Sequence, residues 1–244
     1  MSSLPVFVAS DVHYGAAPPE NEAAFLDWLQ AAVGGASRVV LNGDLFDFWF
    51  EYRKGIPKGN ETLLAVLRDV VDAGLPVTLM GGNHDWWGGS YLRDEIGLEF
   101  LQYPVVRTFA GFRTFLAHGD GLGAGDLKYK ALRWCLRSPF VRWPFRELSP
   151  SVGDWMAGRV SRTEHRAKRL EPLETRDEAL EEFARAKLAK EPDLDLVVFG
   201  HTHIPRLEEV APRRWYANAG DWVYNRTYLV LDQGKPPRVL NWGA

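Results

Sequence analysis

Cysteine is almost absent from this sequence, and so is any long apolar run. Among 244 residues there is one cysteine, Cys135, which excludes an intramolecular disulfide and a cysteine-based zinc site. A reducing cytoplasm suits this composition. No stretch of about 18 apolar residues occurs, and the first residues lack the features of a signal peptide, so we expect neither a membrane span nor a leader. The formal net charge of -3 argues against a general nucleic-acid-binding protein.

Charge is distributed unevenly along the chain. Residues 126–176 include twelve Lys or Arg and only six Asp or Glu, whereas the remainder carries seventeen basic and twenty-six acidic residues. The same segment contains no clear buried strand. We therefore predict a core made of residues 1–125 and 177–244, interrupted at 126–176 by a basic, aromatic-rich and mostly helical insertion, or cap.

Short apolar runs predict the strands of this core. Five runs rich in Val, Leu and Phe lie at 6–9, 38–41, 76–80, 112–117 and 194–199. Apolar residues at helical spacing predict helices at 22–33 and 60–73, with Asn60 as a cap and Gly74 as a stop. This alternation predicts an α/β domain. Runs near 207–210, 215–217 and 228–231 predict antiparallel strands at the C-terminal end of the domain.

Residues able to bind a metal follow each of the five predicted strands. Functional groups of α/β sheets gather beyond the carboxyl ends of the strands, so we expect these side chains to converge. Carboxylate, imidazole and amide donors suit Mn, Fe or Zn rather than Ca. Neighbouring glycines (Gly43, Gly82, Gly119 and Gly200) permit tight turns. In chain order the candidate ligands are Asp11, His13, Asp44, Asn83, His118, His201 and His203, with His84 directly after Asn83.

Each motif also has an ordinary structural explanation. An Asp-x-His pair is usually structural, an Asn-His pair is more often part of a turn, and Asp47 and Asp120 fit the ends of turns. Five such motifs in order, each directly behind a strand, are much harder to explain in this way. The whole set therefore favours a metal site.

The ordered motifs resemble the calcineurin-like metallophosphoesterase superfamily. The resemblance implies a four-layer αββα sandwich, in which two mixed sheets pack face to face between helices. It also implies two divalent metal ions, with Mn²⁺ as the expected metal. The first ion would be bound by Asp11, His13, Asp44 and His203, and the second by Asp44, Asn83, His118 and His201.

The same resemblance implies catalytic roles. A pair of such ions clamps a phosphoryl group and makes a nucleophile available near neutral pH. His84 would contact the phosphoryl oxygens or protonate the leaving group. Asp85 would orient His84 by a hydrogen bond.

Longer segments resemble the UDP-2,3-diacylglucosamine hydrolases of lipid A biosynthesis. These segments are 44–52, 118–126 with Tyr129 beyond it, and 218–222. That family cleaves a pyrophosphate, releasing UMP and a diacylated sugar phosphate. The resemblance implies substrate contacts by Asn83, His84, Asp126 and Tyr129. One departure is His84 itself, since the best-known branch has arginine there.

The insertion suits an anionic lipid substrate. Its basic residues would bind phosphate or meet the inner membrane surface, and its aromatic residues would line an acyl-chain groove or lie at the bilayer interface. In the alternative, the aromatic residues form the insertion's own core and the basic ones a solvated face. The residues concerned are Arg159, Arg162, Arg166, Lys168, Arg169, Trp134, Phe140, Trp143, Phe145 and Trp155, with Arg162 and Lys168 as the predicted substrate contacts.

We predict a metal-dependent phosphoester hydrolase, cytoplasmic or peripheral at the inner membrane, that cleaves the nucleotide-sugar lipid UDP-2,3-diacylglucosamine. A metallophosphoesterase for another small phosphodiester or nucleotide is the alternative, which activity on water-soluble diesters alone would favour. A catalytically silent protein-binding scaffold is a third possibility. Such scaffolds usually lose metal ligands, whereas all seven positions are filled here. A nuclease is disfavoured because the core is acidic.

Overall fold

Two mixed β-sheets lie at the centre of the structure, a computed structural model that describes residues 4–123, 127–150, 152 and 170–243. In the first sheet the order is β11-β10-β1-β2-β3-β4. Strands β1 to β4 are parallel, β10 pairs antiparallel to β1, and β11 pairs antiparallel to β10. Its strands are β1 (Val6–Ala9), β2 (Arg38–Leu41), β3 (Val77–Met80), β4 (Glu99–Leu101), β10 (Thr227–Leu231) and β11 (Arg238–Asn241).

The second sheet has the order β5-β6-β7-β9-β8. Its three central strands β6, β7 and β9 are parallel, and the edge strands β5 and β8 pair antiparallel to them. The strands are β5 (Val105–Phe109), β6 (Phe112–Leu116), β7 (Leu196–Phe199), β8 (Arg206–Ala211) and β9 (Arg214–Asn218).

Helices cover the outer faces of both sheets. Helices α1 (Pro19–Ala32) and α2 (Glu61–Asp72) pack on the first sheet, and α5 (Leu170–Lys190) packs on the second. Alternation along the strands produces the layers: in β2, Val39 and Leu41 join the helical side, whereas Val40 packs between the sheets. The expected four-layer αββα sandwich is confirmed.

Some boundaries differ from those predicted. Helix α1 begins earlier, at Pro19, because proline suits the first helical position. Asn60 does precede α2, but its side chain makes no capping hydrogen bond. Strands β4, β5 and β11 were not predicted. All three lie at sheet edges, where one face can remain in water and no continuous apolar run is needed.

The described part of the insertion is helical. Helix α3 (Leu127–Arg137) is followed directly by α4 (Pro139–Arg146), and the Ser138 hydroxyl between them accepts a hydrogen bond from the Phe140 amide at 3.3 Å. Helix α5 begins at Leu170, before the expected domain boundary at 177. The division into core and insertion stays a prediction. None of the helices in the described ranges combines the length and apolar composition of a membrane span.

Candidate metal centre

The loops that follow β1, β2, β3, β6 and β7 meet at one edge of the two sheets. The Asp11 amide donates to the Gly43 carbonyl at 3.0 Å, which joins the first loop to the second. The Gly200 amide donates to the His118 carbonyl at 2.8 Å, which joins the loops of the second sheet. Asn42 connects the sheets, because its side-chain amide donates to the Ala117 carbonyl at 3.0 Å.

These loops bring together the candidate ligands that sequence spacing indicated. Within each of three groups of residues, ligand atoms lie within 4.8 Å of one another. The groups overlap, so together they form one cluster, which we call the ligand cluster. They are Asp11, His13 and His203; His13, Asp44 and His84; and Asp44, His118 and His201. Asn83 joins them, because its Oδ1 lies 3.3 Å from His118 Nε2.

Asp44 lies at the centre of the ligand cluster. Its Oδ2 is 3.3 Å from His118 Nε2, 3.7 Å from His13 Nε2 and 4.0 Å from His84 Nε2. Burial alone would raise the pKa of Asp44, but the three surrounding imidazoles, His118 most of all, lower it well below its usual value. An ionised carboxylate among several imidazoles is suited to binding a divalent cation.

Two buried nitrogen atoms test whether this donor set fits a metal. His13 Nε2 and His203 Nε2 have no hydrogen-bond partner among the described residues. A buried polar atom left without a partner costs about 1–3 kcal/mol, so a cation is the expected partner for both lone pairs. Burial lowers the pKa of His13, which favours the neutral imidazole that binds metals. The nitrogen and oxygen donors fit Mn, Fe or Zn.

Hydrogen bonds on the far side of two imidazoles orient their Nε2 atoms. His118 Nδ1 lies 2.9 Å from the Asn42 carbonyl, and His203 Nδ1 lies 3.0 Å from Asp221 Oδ2. Since a carbonyl or carboxylate can only accept, both Nδ1 atoms carry the proton and both Nε2 lone pairs are directed to the cluster. Sequence reasoning did not assign these roles. Asp221 lies in the resembling segment 218–222, but nothing marks a backbone carbonyl such as that of Asn42.

His84 is held differently from the other imidazoles. Its Nδ1 hydrogen-bonds to the Asp47 carbonyl, and its Nε2 lies 4.0 Å from Asp44 Oδ2. Its backbone amide donates to Asp44 Oδ1 at 2.9 Å. The ring therefore has one nitrogen fixed by a backbone carbonyl and the other directed towards Asp44.

Asp85 does not make the expected hydrogen bond to His84. Its carboxylate instead accepts from the amides of Gly82 at 2.7 Å, Leu45 at 2.7 Å and Asp44 at 3.3 Å. Burial, with a smaller contribution from the Asp44 charge, raises the pKa of Asp85 to about 6. These bonds join the loop after β3, which carries Asp85, to the loop after β2. The group that orients the His84 ring is the Asp47 carbonyl.

The backbone is strained at the ligands themselves. Eight non-glycine residues of the described chain have positive φ, and five of these are candidate ligands. Left-handed backbone costs such residues about 1–3 kcal/mol each and concentrates at functional sites, because the surrounding structure must impose it. The five are Asp11 (54°), His13 (49°), Asp44 (52°), His201 (70°) and His203 (62°).

Two glycines serve close approach rather than the tight turns expected of them. Gly82 and Gly200 both have ordinary φ values. A Cβ on Gly200 would lie 2.5 Å from Asp11 Oδ2, and a Cβ on Gly82 would overlap Asp44. Gly43, by contrast, has a φ of 90° and fits the expected turn. Any side chain at Gly82 or Gly200 would displace a candidate ligand.

Comparison with known proteins decides the family. Residues 4–205 match the family described as calcineurin-like phosphoesterase. The chain belongs to this family. It is therefore a metal-dependent phosphoester hydrolase, as the motifs predicted, and the ligand cluster holds candidate sites for divalent metal ions.

Relatives of this phosphoesterase carry a more specific name, UDP-2,3-diacylglucosamine hydrolase. The chain is 34% identical to the Bordetella pertussis protein of that name over 82% of this chain and 78% of the relative. It is 31% identical to one from Pseudomonas fluorescens over 93% and 92%, and 27% identical to one from Porphyromonas gingivalis over 93% and 94%. The expected resemblance to these hydrolases is confirmed.

Asp120 attaches helix α3 to the ligand loops of the phosphoesterase. Its buried carboxylate is 2.8 Å from Arg133 Nε and 2.9 Å from Arg137 Nη2, one turn apart on α3. The Arg137 guanidinium lies over the Trp86 ring, 4.6 Å from its centroid. Helix α3 therefore contacts both the His118 loop and the His84 loop.

Most of the other predicted substrate contacts lie in parts of the chain that the structure does not describe. Asp126, Arg162 and Lys168 lie outside the described residues, as do Arg159, Arg166, Arg169 and Trp155. Tyr129 lies in the first turn of α3, but its side chain is outside the described part.

Proposed function

We propose that this phosphoesterase cleaves the pyrophosphate bond of UDP-2,3-diacylglucosamine, releasing UMP and 2,3-diacylglucosamine 1-phosphate. The observation that carries the proposal is the combination of the ligand cluster with a helical cap that exposes aromatic side chains. The names of the relatives support the same substrate. Water is the second substrate, and one phosphate remains with each half of the cleaved molecule.

Two metal ions, with Mn²⁺ as the proposed species, would be held by the ligand cluster. The proposed division gives Asp11, His13, Asp44 and His203 to one ion and Asp44, Asn83, His118 and His201 to the other. When bound, such a pair neutralises phosphoryl charge and lowers the pKa of water. The central position of Asp44 and the directed Nε2 atoms of His118 and His203 support this division.

His84 is the proposed general acid. The Asp47 carbonyl fixes the proton on Nδ1, so protonation of the ring places a second proton on Nε2, beside the cluster. That proton is available to a phosphoryl oxygen or to the departing group. A positioned acid of this kind contributes about 10²–10⁴ to the rate.

The cap would receive the lipid half of the substrate and rest on the inner membrane surface. Three aromatic side chains of α3 and α4 are mostly in water: Trp134 is 78% exposed, Phe140 89% and Trp143 71%. Phe145 instead packs edge-on against Phe50, with ring centroids 4.8 Å apart. The contact of Phe145 is thus with the predicted main core rather than with other aromatic residues of the insertion. Large exposed aromatic groups among basic residues fit a lipid surface.

Within this proposal Asp126, Tyr129, Arg162 and Lys168 remain proposed substrate contacts, together with Asn83 and His84. The side chains of Asn83 and His84 adjoin the ligand cluster, which supports their inclusion.

The test is incubation of the Mn²⁺-loaded chain with UDP-2,3-diacylglucosamine in detergent micelles. We expect UMP release that a chelator abolishes and Mn²⁺ restores. Turnover of a simple water-soluble diester without any UMP from the lipid would refute the substrate and favour a phosphodiesterase of another specificity.

Membrane contact has a separate test. Trp143→Ser should weaken co-sedimentation with phosphatidylglycerol vesicles, because an aromatic side chain in contact with lipid is lost. Tyr103→Ser removes an exposed aromatic group of the core and is the matched control, for which binding should not change. Equal binding by both variants and the unaltered chain would refute membrane contact through the cap.

A further inference from the structure

A cavity outside the ligand cluster shares no residue with it. Its volume is about 330 Å³, at the lower end of small-molecule sites. It is formed between α4 and the chain that continues from the His84 loop. Aromatic rings form part of its wall and three arginines surround it: Phe50, Trp87, Phe100, Arg93, Arg142 and Arg146.

The charge of this cavity is strongly positive. Arg93, Arg142 and Arg146 make no ion pair with any side chain of the described ranges. The carboxylate that lines the cavity is Glu51, and it is occupied by the backbone. It accepts hydrogen bonds from the Gly89 amide at 2.7 Å and from the Tyr91 amide at 3.1 Å. Within the described ranges, three guanidinium groups thus have no carboxylate partner.

Arg142 is positioned rather than loosely solvated. Its guanidinium lies 5.8 Å from the centroid of the buried Trp86 ring, within the range of a cation–π contact. A cation–π contact does not use the N–H donors of a guanidinium in hydrogen bonds, so they remain available to a ligand. A guanidinium edge without a carboxylate matches phosphate oxygens, which it can bind in a bidentate manner.

We propose that this cavity is a binding site for a phosphate group, separate from the ligand cluster. Arg142 and Arg146 bind the phosphate from α4, and Arg93 binds it from the core. The phosphate belongs either to a free molecule or to the head group of a lipid beneath α4. Both sources offer the same chemistry to the three arginines, and the site does not depend on which reaction the ligand cluster catalyses.

The test compares the full-length metal-loaded chain with an Arg142→Gln/Arg146→Gln variant. Inorganic phosphate is titrated by calorimetry, and phosphatidylglycerol vesicles are tested by co-sedimentation against phosphatidylcholine vesicles. Arg68→Gln is the matched control, since Arg68 is an exposed arginine of α2 that does not line the cavity. Arg93→Gln is a second test variant, used if the double variant does not fold, because Arg93 lines the same cavity but lies outside α4.

We expect the unaltered chain and Arg68→Gln to show a phosphate site besides the metal centre, or selective binding to phosphatidylglycerol. Either activity should weaken at least tenfold in the double variant. Loss of inorganic phosphate binding identifies a free ligand, and loss of vesicle binding alone identifies a lipid head group. A double variant, or Arg93→Gln, that equals the unaltered chain in both assays would overturn the proposal.

Discussion

Asp120 offers the sharpest quantitative prediction, because one of its carboxylate oxygens pairs with two arginines of α3. Arg133 and Arg137 both approach Asp120 Oδ2, at 2.8 and 2.9 Å. The substitution Asp120→Asn keeps the shape of the side chain and removes the charge. The substitution therefore leaves no cavity. Any change in the stability of α3 is then due to the loss of the two ion pairs.

The expected magnitude lies between that of a buried pair and that of a surface pair. Breaking a buried ion pair costs about 3–5 kcal/mol, whereas exposed pairs contribute about 0–1 kcal/mol. Asp120 is 6% exposed, but Arg133 and Arg137 are 26% and 15% exposed, so water can partly replace the lost carboxylate. We expect a loss of about 2 kcal/mol, which corresponds to roughly 30-fold in an equilibrium constant.

Amide hydrogen exchange measures this loss where it occurs. In Asp120→Asn the amides of α3 should exchange about 30-fold faster, while those of α2 should be unchanged. Asp193→Asn is the control, because Asp193 is 83% exposed and its pair with Arg113 spans 3.9 Å. Unchanged exchange in α3 would refute the attachment. Equal acceleration throughout the chain would show that Asp120 supports the whole core instead.

Three further outcomes follow from the site and the fold. His84→Ala should lower turnover about 10²–10⁴-fold with metal content unchanged by elemental analysis; loss of metal would contradict its role as an acid. Asp221→Asn should weaken metal affinity about 10–100-fold in a competition titration with a chelating dye, because it frees the His203 ring; equal affinity would contradict this. The third outcome concerns Glu99. Burial alone would raise the pKa of Glu99, but hydrogen bonds from Arg107 and Thr78 lower it. Its stabilisation is therefore complete above the unfolded pKa and is lost as pH falls through the folded one. In metal-free protein, Glu99→Gln should flatten that acid decline in melting temperature, and an unchanged slope would refute the linkage.

The central strands could be predicted because both of their faces are buried. The predicted bounds of β1 and β2 agree with Val6–Ala9 and Arg38–Leu41, since in each run consecutive apolar residues end at a polar residue. The edge strand β11 could not be found in this way. Its residues are mostly exposed, so what makes it a strand is pairing with β10 rather than its own composition.

The convergence of the candidate ligands was also within reach of the sequence, because position behind a strand determines position in the sheet. Their supporting contacts were not. Asp85 was expected to bond to its neighbour His84, yet it bonds to Leu45, forty residues away in the chain. Likewise, nothing local to His203 indicates Asp221 as its partner or a positive φ. Such features depend on which backbone lies alongside in the folded chain.

The account depends most directly on two cations sharing Asp44, and anomalous diffraction from Mn²⁺-loaded crystals tests this. We predict two anomalous peaks roughly 3.5–4 Å apart, one on each side of the Asp44 carboxylate, with Asp11 and His203 beside the first and Asn83 and His118 beside the second. A single peak, or peaks away from Asp44, would contradict the account.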